Sequence, residues 1–161
     1  MRLVITMSRR FGTGASIIAR ELSERLKIPV YDKAYIEHEL EAHDYASEAE
    51  AIRKLAENPC IILGRCASDI LKDRPNVFNI YVCADKEDRI HRVMILRALS
   101  YEDAKEALEK ADAQRADYYY RNTGKTWGDV NDYHMILDTS RLGVENCAGI
   151  LMQYFERMNY I

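Results

Sequence analysis

The run Ser8-Arg9-Arg10-Phe11-Gly12-Thr13-Gly14-Ala15-Ser16 brings glycines, hydroxyls and arginines together in an order suited to holding an anion. Glycine reaches positive φ cheaply and lets backbone approach a ligand closely. An apolar stretch, residues 3–7, precedes the run, and a helical apolar pattern with Ile18, Leu22 and Leu26 follows it. Strand, glycine loop and helix in that order point backbone N–H groups at a phosphate. The strict phosphate-loop pattern G-x-x-x-x-G-K-[ST] is absent. With Gly14 as its second glycine, Arg9 stands at the first, Ala15 at the lysine, and Ser16 at the hydroxyl that would hold Mg²⁺. The competing reading is a glycine turn between a first strand and a first helix that binds nothing. Arg65 is a second chemical signal. It follows the continuous apolar run Cys60-Ile61-Ile62-Leu63 and Gly64, and ligands of open αβ sheets bind at the carboxyl ends of central strands. A surface salt bridge is its structural alternative.

These residues need a frame, and the periodicity supplies one. Residues 28–31 read as a short strand starting at a proline, and Asp32 is placed to cap a helix over 34–42. Ser47-Glu48-Ala49-Glu50 reads as a capping box opening a helix to about residue 57, with Ile52, Leu55 and Ala56 inward. A short helix carrying Ala67, Ile70 and Leu71 follows the strand over 60–63, and residues 77–83 form the next strand. Asp85 caps a helix containing Arg89, Arg92 and Arg97. Ser100 opens a long helix whose apolar stripe runs through Ala104, Leu108 and Tyr118 to a stop at Gly124. A fifth strand over 133–137 closes at Asp138-Thr139-Ser140. A last helix over about 144–158 buries Cys147, Ile150, Leu151, Tyr154 and Phe155. Strand and helix alternating in this way predict a doubly wound, largely parallel sheet.

Bulk properties narrow the function classes. A length of 161 residues fits one domain, and 48% hydrophobic with 30% charged residues fits a globular chain. A net charge of −3 gives no broad attraction to nucleic acid or membrane. No segment has the roughly 18 apolar residues of a membrane span, and the N-terminal apolar run is too short for a signal peptide. Cys60, Cys66, Cys83 and Cys147 form no C-x-x-C pair and read as free, mostly buried thiols, so a cytoplasmic location is expected. His38 and His43 are five residues apart, which does not align them on one helical face for a metal. Tyr118, Tyr119, Tyr120, Arg121, Lys125 and Trp127 interleave aromatic and basic residues as single-strand RNA binders do, but successive tyrosines diverge on a helix. Asp129, Asp132, His91 and His134 carry no catalytic signal beyond their position.

The blocks ITMSRRFGTGAS, IPVYDKAYI, IILGRCASDIL, DAQRADYYYRNTGKTWGD and YHMILDTSRLG, in that order, resemble the cytidylate kinase-like family of P-loop nucleoside monophosphate kinases. The resemblance implies a three-layer α/β P-loop kinase fold over 1–161. Its parallel sheet would have the order 2-3-1-4-5, with a shortened acceptor segment over about 33–58 and a helical lid over about 88–128. It also implies transfer of the γ-phosphoryl group of ATP, with Mg²⁺, to a nucleoside monophosphate such as CMP. Carried over, Arg9, Arg10, Gly12, Thr13, Gly14, Ala15 and Ser16 would hold the donor, with Asp138 and Thr139 near its base and sugar and Ser16 on the metal. Asp32 and Arg65 would meet the acceptor, and Arg89, Arg92 and Arg115 would serve catalysis from the lid. Expected partners are nucleotides, without membrane or nucleic acid, and self-association is left open. Arginines on helices also pair with nearby acids, here Asp85 and Asp112, which is the alternative for all three lid residues. Ala15 at the lysine, Leu63 where cytidylate kinases carry aspartate, and the short acceptor segment favour a second expectation: a nucleotide-binding module without transfer activity.

Overall fold

The computed structural model describes residues 2–161. Its centre is a five-stranded parallel sheet in the order β2-β3-β1-β4-β5. The strands are β1 (Val4–Arg9), β2 (Val30–Tyr31), β3 (Cys60–Leu63), β4 (Val77–Cys83) and β5 (Met135–Asp138). β1 lies between β3 and β4 in the register Thr6↔Ile62 and Thr6↔Asn79, and the Thr6 hydroxyl donates to Asn79 Oδ1 at 2.6 Å. Being central explains the apolar continuity of β1. Side chains alternate across the sheet, so Ile5 and Met7 enter one core while Val4 enters the other.

The first core is closed by α1 (Ala15–Leu26) and α7 (Val144–Arg157) through Ile18, Leu22, Leu151 and Phe155. The second lies under α2 (Tyr45–Leu55) and α3 (Ala67–Ile70), where Ile52 and Leu71 meet Ile62. α4 (Lys86–Arg97) and α5 (Tyr101–Thr123) form a helical hairpin over Ile90, Val93, Ala104 and Leu108. A fourth cluster, Tyr81, Tyr119, Trp127 and Tyr133, joins α5 to the sheet. A four-residue helix, α6 (Thr139–Leu142), follows β5. The sheet order is the one implied by the resemblance. No helix among the described residues is long and apolar enough to cross a membrane.

Several local expectations need correction. The helix expected over 34–42 is a single π-helical turn, Tyr35–Glu39, whose start is fixed by the Tyr35 N–H donating to Asp32 Oδ1 at 2.9 Å. α2 begins at Tyr45 because Asp44 and Ser47 form the reciprocal capping box, so Ser47 is the third helical residue and not the cap. Asp85 occupies the N-cap of α4, but its carboxylate accepts from Arg141 and makes no cap bond. β5 starts at Met135, since Tyr133 still closes the 3₁₀ turn Val130–Asp132. Ile150 lies on the exposed side of α7, and Tyr119 is the buried tyrosine of its run. Ser100 caps α5 as expected, accepting from the Asp103 N–H at 3.2 Å.

Candidate functional site

The loop between β1 and α1 has a backbone held from outside itself. Each carbonyl from Arg9 to Thr13 is taken by a side-chain donor. Arg115 Nη1 donates to Arg9 O (2.9 Å), Thr13 Oγ1 to Arg10 O (3.0 Å) and Arg89 Nη1 to Phe11 O (3.2 Å). Arg92 Nη1 donates to Gly12 O (2.8 Å) and Thr139 Oγ1 to Thr13 O (2.9 Å). The Phe11 N–H donates to Asp112 Oδ1 at 2.8 Å. With the carbonyls tied outward, the N–H groups of Gly12 through Ser16 find no acceptor among the described residues. Successive free N–H groups at a helix start form a concavity for an anion, and the helix dipole adds to it. Gly12 has φ +79° with Arg89 O only 2.9 Å from where a Cβ would lie, so both its torsion and the packing of α4 require glycine.

Above the loop lies a cavity of ≈ 690 Å³, within the usual range for small-molecule sites. Arg92, Arg97, Arg20 and Arg115 line it, with Ser16 and Thr139. The Ser16 hydroxyl makes no hydrogen bond to any described residue and lines this cavity. Ala15 is buried at the first position of α1 and brings no charge. Phe11 packs between Arg97 (4.7 Å from the ring centre) and Arg115 (5.6 Å).

Arg10 leaves the loop and lies 4.7 Å over the Trp127 ring. Arg89 does not line the cavity. Its guanidinium is used up on Asp112 Oδ2 at 2.7 Å, on Phe11 O and on Ala84 O. It therefore shapes the loop instead of meeting ligand. The alternative of pairing with a nearby acid is what Arg89 does, but across helices and not along its own: Asp112 reaches it from α5, while Asp85 goes to Arg141. Asp138 caps α6 through the Ser140 N–H at 3.0 Å, so of the pair 138–139 it is Thr139 that reaches the cavity.

Beside the loop, at the carboxyl end of β3, a smaller cavity of ≈ 100 Å³ is lined by Arg9, Lys33, Arg65 and Arg115. Arg65 Nη1 meets Glu48 Oε1 at 3.0 Å, and its guanidinium lies 4.3 Å over the Tyr118 ring. The Tyr118 hydroxyl donates to the other oxygen of Glu48, and burial with that bond raises the Tyr118 pKa. Asp32 stays outside this lining and serves as a cap, although its charge is felt by Arg9. Glu48 and Asp112, both buried, were not singled out as site residues from the sequence. Asp112 lies three residues before Arg115 and had entered only as a possible partner for the lid arginines. Glu48 gave no signal of its own.

A family model described as "Cytidylate kinase-like family" matches residues 4–43 and 37–141. The cytidylate kinase of Pyrobaculum islandicum is 27% identical over 173 residues, covering 94% of this chain and 92% of that relative. An uncharacterised protein from Eubacterium ventriosum superposes with a TM-score of 0.91 at 24% identity, over 98% of this chain and 99% of the other. A shikimate kinase from Acinetobacter baumannii in complex with shikimate has a TM-score of 0.61 at 16% identity, covering 96% and 93%. These last two likenesses are of fold. The family match spans most of the length and includes the loop, the arginine after β3 and the hairpin: the chain belongs to the cytidylate kinase-like family.

Proposed function

We propose that the protein moves the γ-phosphoryl group of ATP to a nucleoside monophosphate, with CMP the preferred acceptor. The observation that carries this reading is the set of unpartnered N–H groups from Gly12 to Ser16 facing an arginine-lined cavity. Phosphoryl transfer needs little covalent chemistry from the protein, and positioning with charge neutralisation does most of the work. The loop amides would hold the donor phosphates. Arg92, bonded to Gly12 O, places a guanidinium at the same loop from α4, where the charge of the missing lysine would otherwise be required. Arg65 would bind the acceptor phosphate from the opposite side. Mg²⁺, when bound, would neutralise charge on the donor phosphates, and the Ser16 hydroxyl is the side chain placed to hold it. The α4–α5 hairpin would exclude water from the reacting groups.

A coupled assay with ATP, Mg²⁺ and CMP, UMP, AMP or GMP tests the proposal. Turnover is expected, fastest with CMP, and no turnover with any of them overturns it. The buried, uncharged Ala15 favours a second reading, a nucleotide-binding module that does not transfer. Calorimetric binding of ATP or CMP without turnover would select that reading.

A further inference from the structure

Arg9 stands in the phosphate loop by sequence, yet its side chain leaves the loop. Its Nη1 lies 2.6 Å from where a Cβ on Gly64 would be, under the turn that ends β3. Gly64 has φ +67°, a torsion that favours glycine, and the Arg9 guanidinium lies against it. There Arg9 joins Arg65 and Arg115 around the ≈ 100 Å³ cavity, with Lys33 at its edge. Arg65 has Glu48 at 3.0 Å and Glu37 at 3.7 Å, and Arg115 has Arg9 O. The Arg9 guanidinium has no hydrogen bond or ion pair with any described residue. Its pKa is lowered to about 10, by burial first and then by Arg115 and Arg65, against a weaker opposing effect of Asp32. The Arg9 guanidinium is left unpaired beside two like charges, and an anion among them would relieve that repulsion. The volume is well below the roughly 300 Å³ at which whole-ligand pockets begin, and suits one phosphate group with the rest of the molecule outside.

We propose that Arg9, Arg65 and Arg115 form a cup for a dianionic phosphate monoester, and that Arg9 thus serves the acceptor and not the donor loop. Naming that monoester as the acceptor rests on the kinase reading above; the cup itself does not. Arg9 and Arg115 also line the larger cavity, so the cup opens toward the donor loop and an oxygen held in it would face the transferred group. A guanidinium bonds two oxygens at once, which suits three of them to a group with several equivalent oxygens.

The test is calorimetric titration of inorganic phosphate, then of CMP and ATP, into the wild type and Arg9→Gln. Arg9→Gln should weaken phosphate and CMP at least about ten-fold, the scale of a lost charge-assisted bond, and leave ATP within about three-fold. Because removing Arg9 also removes a buried like charge, Arg9→Gln should melt no lower than the wild type. Any of three results overturns the cup: no phosphate uptake by the wild type, unchanged uptake by Arg9→Gln, or ATP lost in place of phosphate. A lowered melting temperature with phosphate and ATP lost equally would mark Arg9 as structural and overturn it too. Phosphate bound as expected with no CMP binding would sustain the cup and remove the nucleoside monophosphate reading.

Discussion

Arg89 and Asp112 form a buried ion pair, Nη1 to Oδ2 at 2.7 Å, that locks α4 to α5. The second oxygen of Asp112 accepts the Phe11 N–H, so one carboxylate fixes both the hairpin and the phosphate loop.

Removing one partner strands a buried charge. Asp112→Ala should therefore lose about 3–5 kcal/mol of stability, read as a lowered urea midpoint. Arg89→Met with Asp112→Leu should recover most of that loss. The double variant should still bind ATP more weakly, because the Phe11 N–H has lost its acceptor.

Ala15→Lys supplies the missing phosphate-loop cation at a position lining the donor cavity. A cation aimed at a transferring phosphoryl group is worth roughly 10³–10⁵ in rate in its strongest cases. Transfer should rise at least about ten-fold in the coupled assay, with acceptor KM unchanged. A rate equal to wild type would mean that Arg92 already supplies this charge.

Tyr118 and Glu48 hold Arg65 in place, one by its ring and both by the hydroxyl–carboxylate bond. Tyr118→Phe keeps the ring and strands one carboxylate oxygen, at a cost of about 1–3 kcal/mol in stability. Acceptor KM should change while ATP affinity does not, since neither residue lines the donor cavity.

Alkali should weaken the fold. Burial pushes the Cys60 thiol up to about 11 and Cys66 to about 12, while thiols of the unfolded chain ionise near 9. Burial likewise raises Tyr81 to about 12. Above pH 9 the unfolded chain holds fewer protons than the folded one, so stability is complete below pH 9 and falls as pH rises. Each such group contributes up to about 1.4 kcal/mol per pH unit. Arg9, lowered to about 10, acts in the opposite direction above pH 10. Urea midpoints at pH 8, 9 and 10 should fall, and Cys60→Ala should flatten the fall.

The sheet was readable because its strands are short apolar runs bounded by turn residues, and β3, buried on both faces, shows no alternation. The start of α2 was misplaced because Asp44 and Ser47 are both good caps, and a single sequence does not rank them. Asp112 and Glu48 were missed for a different reason. A lone acid on a helix reads as solvated, and its burial makes sense only beside Arg89 or Arg65, which lie 23 and 17 residues away along the chain. Arg9 is expected at the donor by its place in the loop, and its side chain lines both cavities, which no local pattern shows. Backbone patterns are local. Partnerships between charges are not.

The loop carbonyls are tied by residues 89, 92, 115 and 139, contacts that span up to 126 positions of the chain. During synthesis β1 and α1 are made first, and Thr139, the last side chain to tie a loop carbonyl, is added 126 positions after Thr13. The proposed phosphate binding should therefore arise late, and nascent chains of different lengths should acquire it only once residue 139 is present. A nucleotide captured at that step would act as a check that the second half of the chain has assembled.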